Sequence, residues 1–576
     1  LVIALVFYMK NIAGVVTPIT CAAVAGVWGF GFIGLLGKPI EPLLMIVPLL
    51  LVARSFSHCV QYTERYYEIL SHVKDRKEAA EHTMNIMMAP SILGILTDVC
   101  GIIFIAIAPI KAMDNHAIFC GMWALWIIPT GTFLCSILLS YLPVPKNMQQ
   151  MLVSNESKNG LHASQGRLLK RLATLSVGTK AKRTSVLVII IGMVGIYLNT
   201  QIKIGNPVEG SNILWPDSEF NIGVRAINAH FPGTNTLEIV LESKTRDITR
   251  RVANTAKVVE VAQTLQRKLE MDEVLPPRAS LTFADYMSDI NRLFSGGNPK
   301  WAPLDLTDEA ISAAGFAALL GSNAINFGHV ADFEFQNSTV SFWYKDNKQE
   351  TVDHALAAAA KAVEEVGLEH PDFHVKLGTG VIALQQAMNN VISRYHWIII
   401  GMVNVAVMVL AGFAYRSIVA AFILLIPVNL ANLLLVACMH LVGVGLDMNA
   451  GIVAVIGVGV GIDYGIYLLS RICEEYSAKN HDLTKAIEAA LTTTGKAIMF
   501  TATIMLLGIT PWYFLSDLKF MADMGLLLIL VMLINMLLSL VVLPLLVWYI
   551  KPKFLARQDL IIGESIDIEK LRRVTN

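Results

Sequence analysis

The sequence predicts a polytopic α-helical membrane protein made of two pseudo-repeated transmembrane helical units and one extracytoplasmic α/β domain. Three observations predict it. The 576 residues are 55% hydrophobic and only 16% charged, against about 45–50% and about 25% in soluble domains. The apolar residues stand in long uninterrupted runs, whereas residues 201–395 are polar and mixed. A shift of 406 positions brings two distant parts of the chain into register.

Taken in order, Leu1–Met9 is apolar but shorter than the roughly 20 residues a spanning helix needs. It is expected to be the tail of a helix whose beginning was cut away. Ten full-length runs follow, at 14–36, 43–62, 90–110, 116–142, 185–200, 396–414, 418–442, 449–470, 496–515 and 523–550. The expected organisation is a first transmembrane unit at 1–142 (a partial helix and four spans), a basic linker at 143–184 and a lone helix at 185–200. An α/β domain at 201–395, a second unit of five spans at 396–550 and a tail at 551–576 complete it.

Orientation follows from basic residues, which stay on the cytoplasmic side. The linker carries Lys146, Lys158, Arg167, Lys170, Arg171, Lys180, Lys182 and Arg183, and the tail Lys551, Lys553, Arg557, Lys570, Arg572 and Arg573. Counting spans alternately from Lys10 puts both on that side and 201–395 on the other. Within 201–395, strand-like runs at Leu237–Glu242, Phe333–Tyr344 and Phe373–Leu377 alternate with helical stretches at Val252–Leu269, Thr351–Val366 and Ala383–Tyr395. Alternation of this kind reads as a small α/β domain. Leu237–Glu242 and the Phe333–Tyr344 region are expected to share a sheet.

The 406-position shift takes Lys10 to Arg416, Gly37 to Gly443, Ile40 to Leu446, Glu41 to Asp447 and Arg65 to Arg471. Two loops, a helix exit and the span boundaries keep one register. This predicts two copies of one helical unit in parallel orientation, an arrangement that in transporters places the working site between the halves. By symmetry, a further span and outer domain are expected ahead of the first copy. The segments Glu64–His82 and Arg471–Ala490 are charged and helix-prone, and are expected to lie along the membrane surface, either coupling the spans or as inert solvated helices.

The strongest chemical signal is Asp463-Tyr464 in the run 449–470, with Gly457, Gly459 and Gly461 just before it. A charge at membrane depth costs about 2.5–3.5 kcal/mol on insertion scales, so such residues tend to face a partner or a pathway. A carboxyl that is neutral in one state and charged in another is a natural proton carrier, and Tyr464 is placed to bond to it or relay its proton. The glycines let a neighbouring helix approach closely. The alternative is an Asp that caps a helix break.

The first half lacks this pair: Ser57 and His58 stand at the matching positions. It offers instead Arg54, one helical turn before His58 and on the same helix face, and Asp98 in the next span. An always-charged Arg needs an anionic partner, and Asp98 and Asp463 are the carboxylates available. The expectation is one asymmetric network of Arg54, His58, Asp98 and Asp463 between the halves. Against it stand a packing role for His58, a snorkelling Arg54, and an Asp98 that only neutralises Arg54.

The run Gly461-Ile462-Asp463-Tyr464, with Leu468-Leu469-Ser470-Arg471 and Glu474-Glu475, resembles the fourth-helix motif of the mycobacterial-membrane-protein-large (MMPL) group. That group belongs to the resistance–nodulation–division (RND) superfamily and is related to sterol-sensing-domain proteins. Thr493-Thr494-Gly495-Lys496-Ala497 and Phe500-Thr501-Ala502 resemble the helix that follows in that group. The resemblance runs over essentially the whole chain. It implies proton-driven export of a hydrophobic or amphiphilic, lipid-like molecule from a bacterial inner membrane. The Asp-Tyr pair would then be the proton site, with a porter-like outer domain on the periplasmic side. It also leaves open a sterol-sensing-like lipid-binding module, an assistant to protein export, and homo-oligomers or accessory periplasmic proteins as partners.

Other classes are set aside. A net charge of zero offers nucleic acid nothing. The seven cysteines lie in or beside apolar runs without a CxxC pair, so no disulfide framework, metal or redox site is expected and they read as small packing residues. His370 and His374 have no metal-ligand spacing. No nucleophile motif or phosphate loop is present, so neither an enzyme nor ATP as energy source is expected, and no cofactor.

Overall fold

The computed structural model describes residues 2–40, 46–73, 75–145, 161–202, 205, 209–321, 327–446, 448–557 and 562. Glu41 and Asp447 of the repeat, and Lys146, Lys158, Lys570, Arg572 and Arg573 of the basic connections, lie outside them.

The chain begins with α1 (Val2–Met9), α2 (Ile12–Leu35), α3 (Ile46–Val73), α4 (Arg76–Ile103), α5 (Lys111–Ile127) and α6 (Cys135–Tyr141), followed by α7 (Leu161–Ser176) and α8 (Thr179–Asn199). After the α/β domain come α14 (Gly380–Ala414), α15 (Ile418–Val442), α16 (Met448–Ala478), α17 (Leu483–Thr492), α18 (Thr494–Leu515) and α19 (Lys519–Ile550). Among the described residues, nine helices are long and apolar enough to cross a membrane. The predicted run at 43–62 is not among them, because α3 carries Arg54, Ser57, His58 and Gln61. It is tolerated because nearly every residue from Leu51 to Leu70 is buried against protein.

The repeat is visible in the helix boundaries. A shift of 406 carries Ile12–Leu35 onto 418–441, where α15 (Ile418–Val442) lies, and Ile46–Val73 onto 452–479, matched by α16 (Met448–Ala478). Its turns repeat as well: Lys10 and Arg416 have φ of 49° and 46°, and Gly37 and Gly443 of 61° and 77°. Packing repeats too, since α3 lies against α18 and α16 against α4. The charged segments expected along the membrane surface are instead mostly ends of long helices. Residues 64–73 complete α3, 76–82 open α4 and 471–478 complete α16; only α17 is a separate short helix. An uninterrupted helix keeps its backbone bonds, so a change from apolar to charged residues does not by itself end it. Helix α14 runs without a break through the predicted boundary at 395, and the compact units divide at 390/391.

A separate compact unit holds 204–390 and 517–519. Its strands β1 (Asn235–Ser243), β2 (Ala279–Leu281), β3 (Ser338–Tyr344) and β4 (Phe373–Thr379) form one antiparallel sheet in the order β2-β3-β1-β4. Its helices are α9 (Glu219–His230), α10 (Ala256–Glu270), α11 (Phe283–Phe294), α12 (Asp308–Gly321) and α13 (Gln349–Val366). β1 and β3 pair as expected, Leu237 opposite Phe342 and Ile239 opposite Val340. The first half of the predicted Phe333–Tyr344 strand is a turn, with Phe335 at φ 54°. Inward residues Leu237, Ile239, Leu241, Val340 and Phe342 pack with Leu265 of α10 and Val352 and Ala359 of α13, the period of two expected of a half-buried strand.

Asp272 closes the corner after α10. Its carboxylate accepts the backbone N–H groups of Val274 at 2.9 Å and Leu275 at 3.0 Å. Both its oxygens lie 3.1 Å from Nε2 of His354 on α13. The Leu275 N–H, helped by that of Val274 and by His354, holds this carboxyl below its usual range. A carboxyl held low contributes stability above its unfolded pKa, about 3.9, and loses it as pH falls through the folded value. Asp272→Asn is therefore expected to speed hydrogen exchange at residues 271–276 about five-fold at neutral pH, equivalent to about 1 kcal/mol. Variant and wild type should converge in acid, read by exchange mass spectrometry on the full chain.

Candidate functional site

Three buried helices of the membrane unit supply the site: α3, α4 and α16. Small residues set their spacing. A Cβ at Gly459 of α16 would stand 3.4 Å from Asp98 Cα and 3.7 Å from Thr97 O, and one at Gly101 of α4 would stand 3.7 Å from Gly459 Cα. At Gly94 of α4 a Cβ would run into the Asp463 carboxylate. Close approach through small residues is the usual basis of helix association in membranes. Here it lets carboxylates from two helices reach one arginine.

That arginine is Arg54. Its Nε donates to Asp98 Oδ2 at 2.6 Å, and its Nη2 forms an ion pair with Asp463 Oδ2 rather than an aligned hydrogen bond. Arg54, Asp98 and Asp463 are 2%, 4% and 1% exposed. Asp98 Oδ1 and Asp463 Oδ1 are buried and accept no hydrogen bond among the described residues. One cation facing two carboxylates carries one negative charge too many, and a single proton removes it. Since a lone charge at this depth costs about 2.5–3.5 kcal/mol, the cluster has a strong reason to hold that proton on one free carboxyl oxygen.

The predicted residues divide accordingly. Arg54, Asp98 and Asp463 meet, as expected. His58 does not join them: its Nδ1 lies 3.0 Å from Tyr467 OH, which lies 3.2 Å from Ser91 Oγ of α4. Arg54 and His58 on α3, and Asp463 and Tyr467 on α16, are four residues apart. The His58–Tyr467–Ser91 group is therefore stacked about one turn, roughly 5.4 Å, from the ion cluster.

Tyr464 does not bond to Asp463; its hydroxyl lies against the sulfurs of Met505 and Met532, at 3.6 and 3.9 Å. Neighbouring residues on a helix point about 100° apart, whereas residues four apart share a face, so Tyr467 rather than Tyr464 shares the face of Asp463, where it meets His58 and Ser91. Ser57 is buried with its hydroxyl unpartnered among the described residues, outside the ion cluster.

The three glycines also part ways. Gly459 faces α4, while a Cβ at Gly457 or Gly461 would meet Val531 or Asn535 of α19. Positions 457 and 461 share one helix face and 459 lies opposite, so one stripe serves two neighbours.

A second ionic group joins the halves. Arg65 pairs with Glu474 and, at 2.6 Å, with Glu68; Arg471 pairs with Glu68 at 2.7 Å and Glu474 at 3.2 Å. Arg65 and Arg471, and equally Glu68 and Glu474, are related by the 406-position shift, so these four form a symmetric ring, to which the second half alone adds a pairing of Arg471 with Glu475 at 2.8 Å. It borders a cavity of about 250 Å³ whose lining includes Gln61, Glu64, Lys496 and Tyr467.

The fold resembles that of the hedgehog release protein Disp from the water bear Hypsibius dujardini, with a TM-score of 0.63 over 96% of this chain and 69% of that one. At 12% sequence identity the likeness is one of fold alone. A membrane protein of Methanocaldococcus jannaschii is 32% identical over 152 residues, 26% of this chain. That match spans 38% of the archaeal protein's length. The MMPL family model matches residues 213–559, more than half of the chain and the whole of α16 with Asp463. The nine helices among the described residues that are long and apolar enough to cross a membrane, the α/β domain and this match together place the chain in the MMPL family.

Proposed function

We propose that this multi-pass membrane protein is a secondary transporter that exports a hydrophobic or amphiphilic, lipid-like substrate at the expense of the proton-motive force. The observation that carries the reading is the Arg54–Asp98–Asp463 cluster, two buried carboxylates sharing one cation. Protonation there changes which carboxylate Arg54 holds, and so the relation of α16 to α3 and α4. One charge crossing 100 mV releases about 2.3 kcal/mol, and each pH unit about 1.36 kcal/mol, so a few protons per cycle suffice to draw a lipid-like molecule from a leaflet. Membership of the family favours a bacterial inner membrane, and the basic connections favour the α/β domain on its periplasmic side as a porter-like module. A lipid-sensing module has no need of a buried cluster one proton short of neutrality, which favours transport over sensing.

Reconstituted in liposomes with an imposed pH gradient, the chain should move a fluorescent phospholipid analogue between leaflets at a rate that collapses with a protonophore. Transfer that ignores the gradient would argue for a sensing or scrambling role.

The ring ties the two helical units together through Arg65–Glu474 and Arg471–Glu68. Glu68→Gln and Glu474→Gln should each destabilise the protein by about 1.5–3 kcal/mol, the range for hydrogen bonds to charged groups. Because both acids share both arginines, the double variant should lose less than the sum. Thermal unfolding in detergent reads this, and strict additivity would mean the four residues do not act as one ring.

A further inference from the structure

Without a pairing motif, the cysteines read as packing residues, yet the fold gathers three of them. The sulfurs of Cys21 on α2, Cys59 on α3 and Cys135 at the start of α6 all lie within 4.8 Å of one another. Each of the three residues is 0% exposed. They come from three helices that pack pairwise. Cys135 directly follows a π-helical turn, Ile128–Leu134, a distortion frequent at functional sites. Three thiols converging from separate helices form a ligand set, whereas packing alone asks only for small apolar side chains.

We propose that Cys21, Cys59 and Cys135 form a trithiol site for a trivalent, thiophilic metalloid of the arsenite or antimonite class. Geometry permits it. Three sulfurs about 2.3 Å from a trivalent centre, a typical metal–thiolate length, stand roughly 3.5 Å apart, because the lone pair of such a centre makes the site pyramidal. The observed sulfurs need move inward by only a fraction of an ångström.

Charge selects among soft ions. The site lies in an apolar core with Leu5, Phe56, Tyr62 and Leu139. The cations on the same helix are engaged elsewhere, Arg54 by Asp98 and Asp463, and Arg65 by Glu68 and Glu474. Zinc bound by three thiolates would carry one net negative charge and lack its fourth ligand. Copper(I), which thiolates also select, would leave two negative charges. Both are costly at membrane depth.

A trivalent hydroxide avoids the problem. M(OH)3 condenses with three thiols to M(SR)3 and three waters. Three M–O and three S–H bonds break, three M–S bonds form, and each thiol proton leaves on a departing hydroxide. No electron is transferred, and both the entering species and the product are neutral. Once formed, the complex staples α2 and α6 to α3, the helix that carries Arg54.

The test uses the full chain, purified in detergent under reducing conditions and treated with arsenite. After desalting, about one arsenic per chain is expected by elemental mass spectrometry, with an X-ray absorption shell of three sulfurs. Cys59→Ser should lower retained arsenic at least ten-fold, while Cys100→Ala and Cys438→Ala leave it unchanged. Arsenite should raise the thermal unfolding midpoint of the wild type but not of Cys59→Ser. If Cys59→Ser fails to fold, Cys21→Ser and Cys135→Ser carry the same expectation. No retained arsenic in the wild type would overturn the proposal. So would a shell of two sulfurs, or undiminished binding in the serine variants.

Discussion

Asp463→Asn is expected to abolish proton-coupled transport while the chain still inserts and folds. Asparagine keeps the size and one oxygen of the side chain, so the fit against Gly94 and Arg54 survives. It cannot exchange a proton, and it leaves Arg54 facing Asp98 alone, a neutral and permanently satisfied pair. The cluster then loses its reason to change partner, and with it the means of linking protonation to movement. In proteoliposomes with an imposed pH gradient, transfer of the lipid analogue should fall to the protein-free background, and proton influx followed with an entrapped pH dye should fall with it. Wild-type rates from a folded Asp463→Asn protein would refute the assignment of Asp463. Asp98→Asn leaves Arg54 and Asp463 as a neutral, satisfied pair of the same kind, so it too should lose gradient-dependent transport; a variant that kept it would show that exchange between the two carboxylates is not the coupling step.

Removing the shared cation should have the largest effect on stability. Arg54→Met leaves Asp98 and Asp463 buried beside one another with no counter-charge, and breaking a buried ion pair from one side costs about 3–5 kcal/mol. The unfolding midpoint in detergent should drop accordingly. Adding Asp98→Asn and Asp463→Asn removes the stranded charges and should recover most of that loss without restoring transport. A single Arg54→Met protein as stable as wild type would show that the two acids are already neutral and that Arg54 is not their partner.

Much of the architecture was legible because it rests on one-dimensional signals. Runs of apolar residues mark spanning helices whatever packs against them, and a fixed offset survives in the sequence as a repeat. The Glu68–Glu474 match was available from the same offset that paired Arg65 with Arg471. Helix ends were less legible: α3 and α16 run on through charged residues, since polarity alone does not break a backbone hydrogen-bond ladder. The turn at Phe335 interrupts what alternation read as a strand.

By itself, then, the sequence determined the class of protein, the two related helical units, the α/β domain and the need of Arg54 for carboxylate partners. A buried Arg54 requires carboxylates, and only two were offered. Which side chains meet was decided by the tertiary structure. Tyr467 rather than Tyr464 stands on the face of Asp463, His58 pairs with that tyrosine instead of the ion cluster, and Gly94 gives Asp463 its room. The gathering of Cys21, Cys59 and Cys135 has no trace in spacing at all. The physical reason is common to all of these. Burial cost depends on residue type and can be read along a chain, whereas a contact depends on the rotation and separation of helices, which many side chains set together.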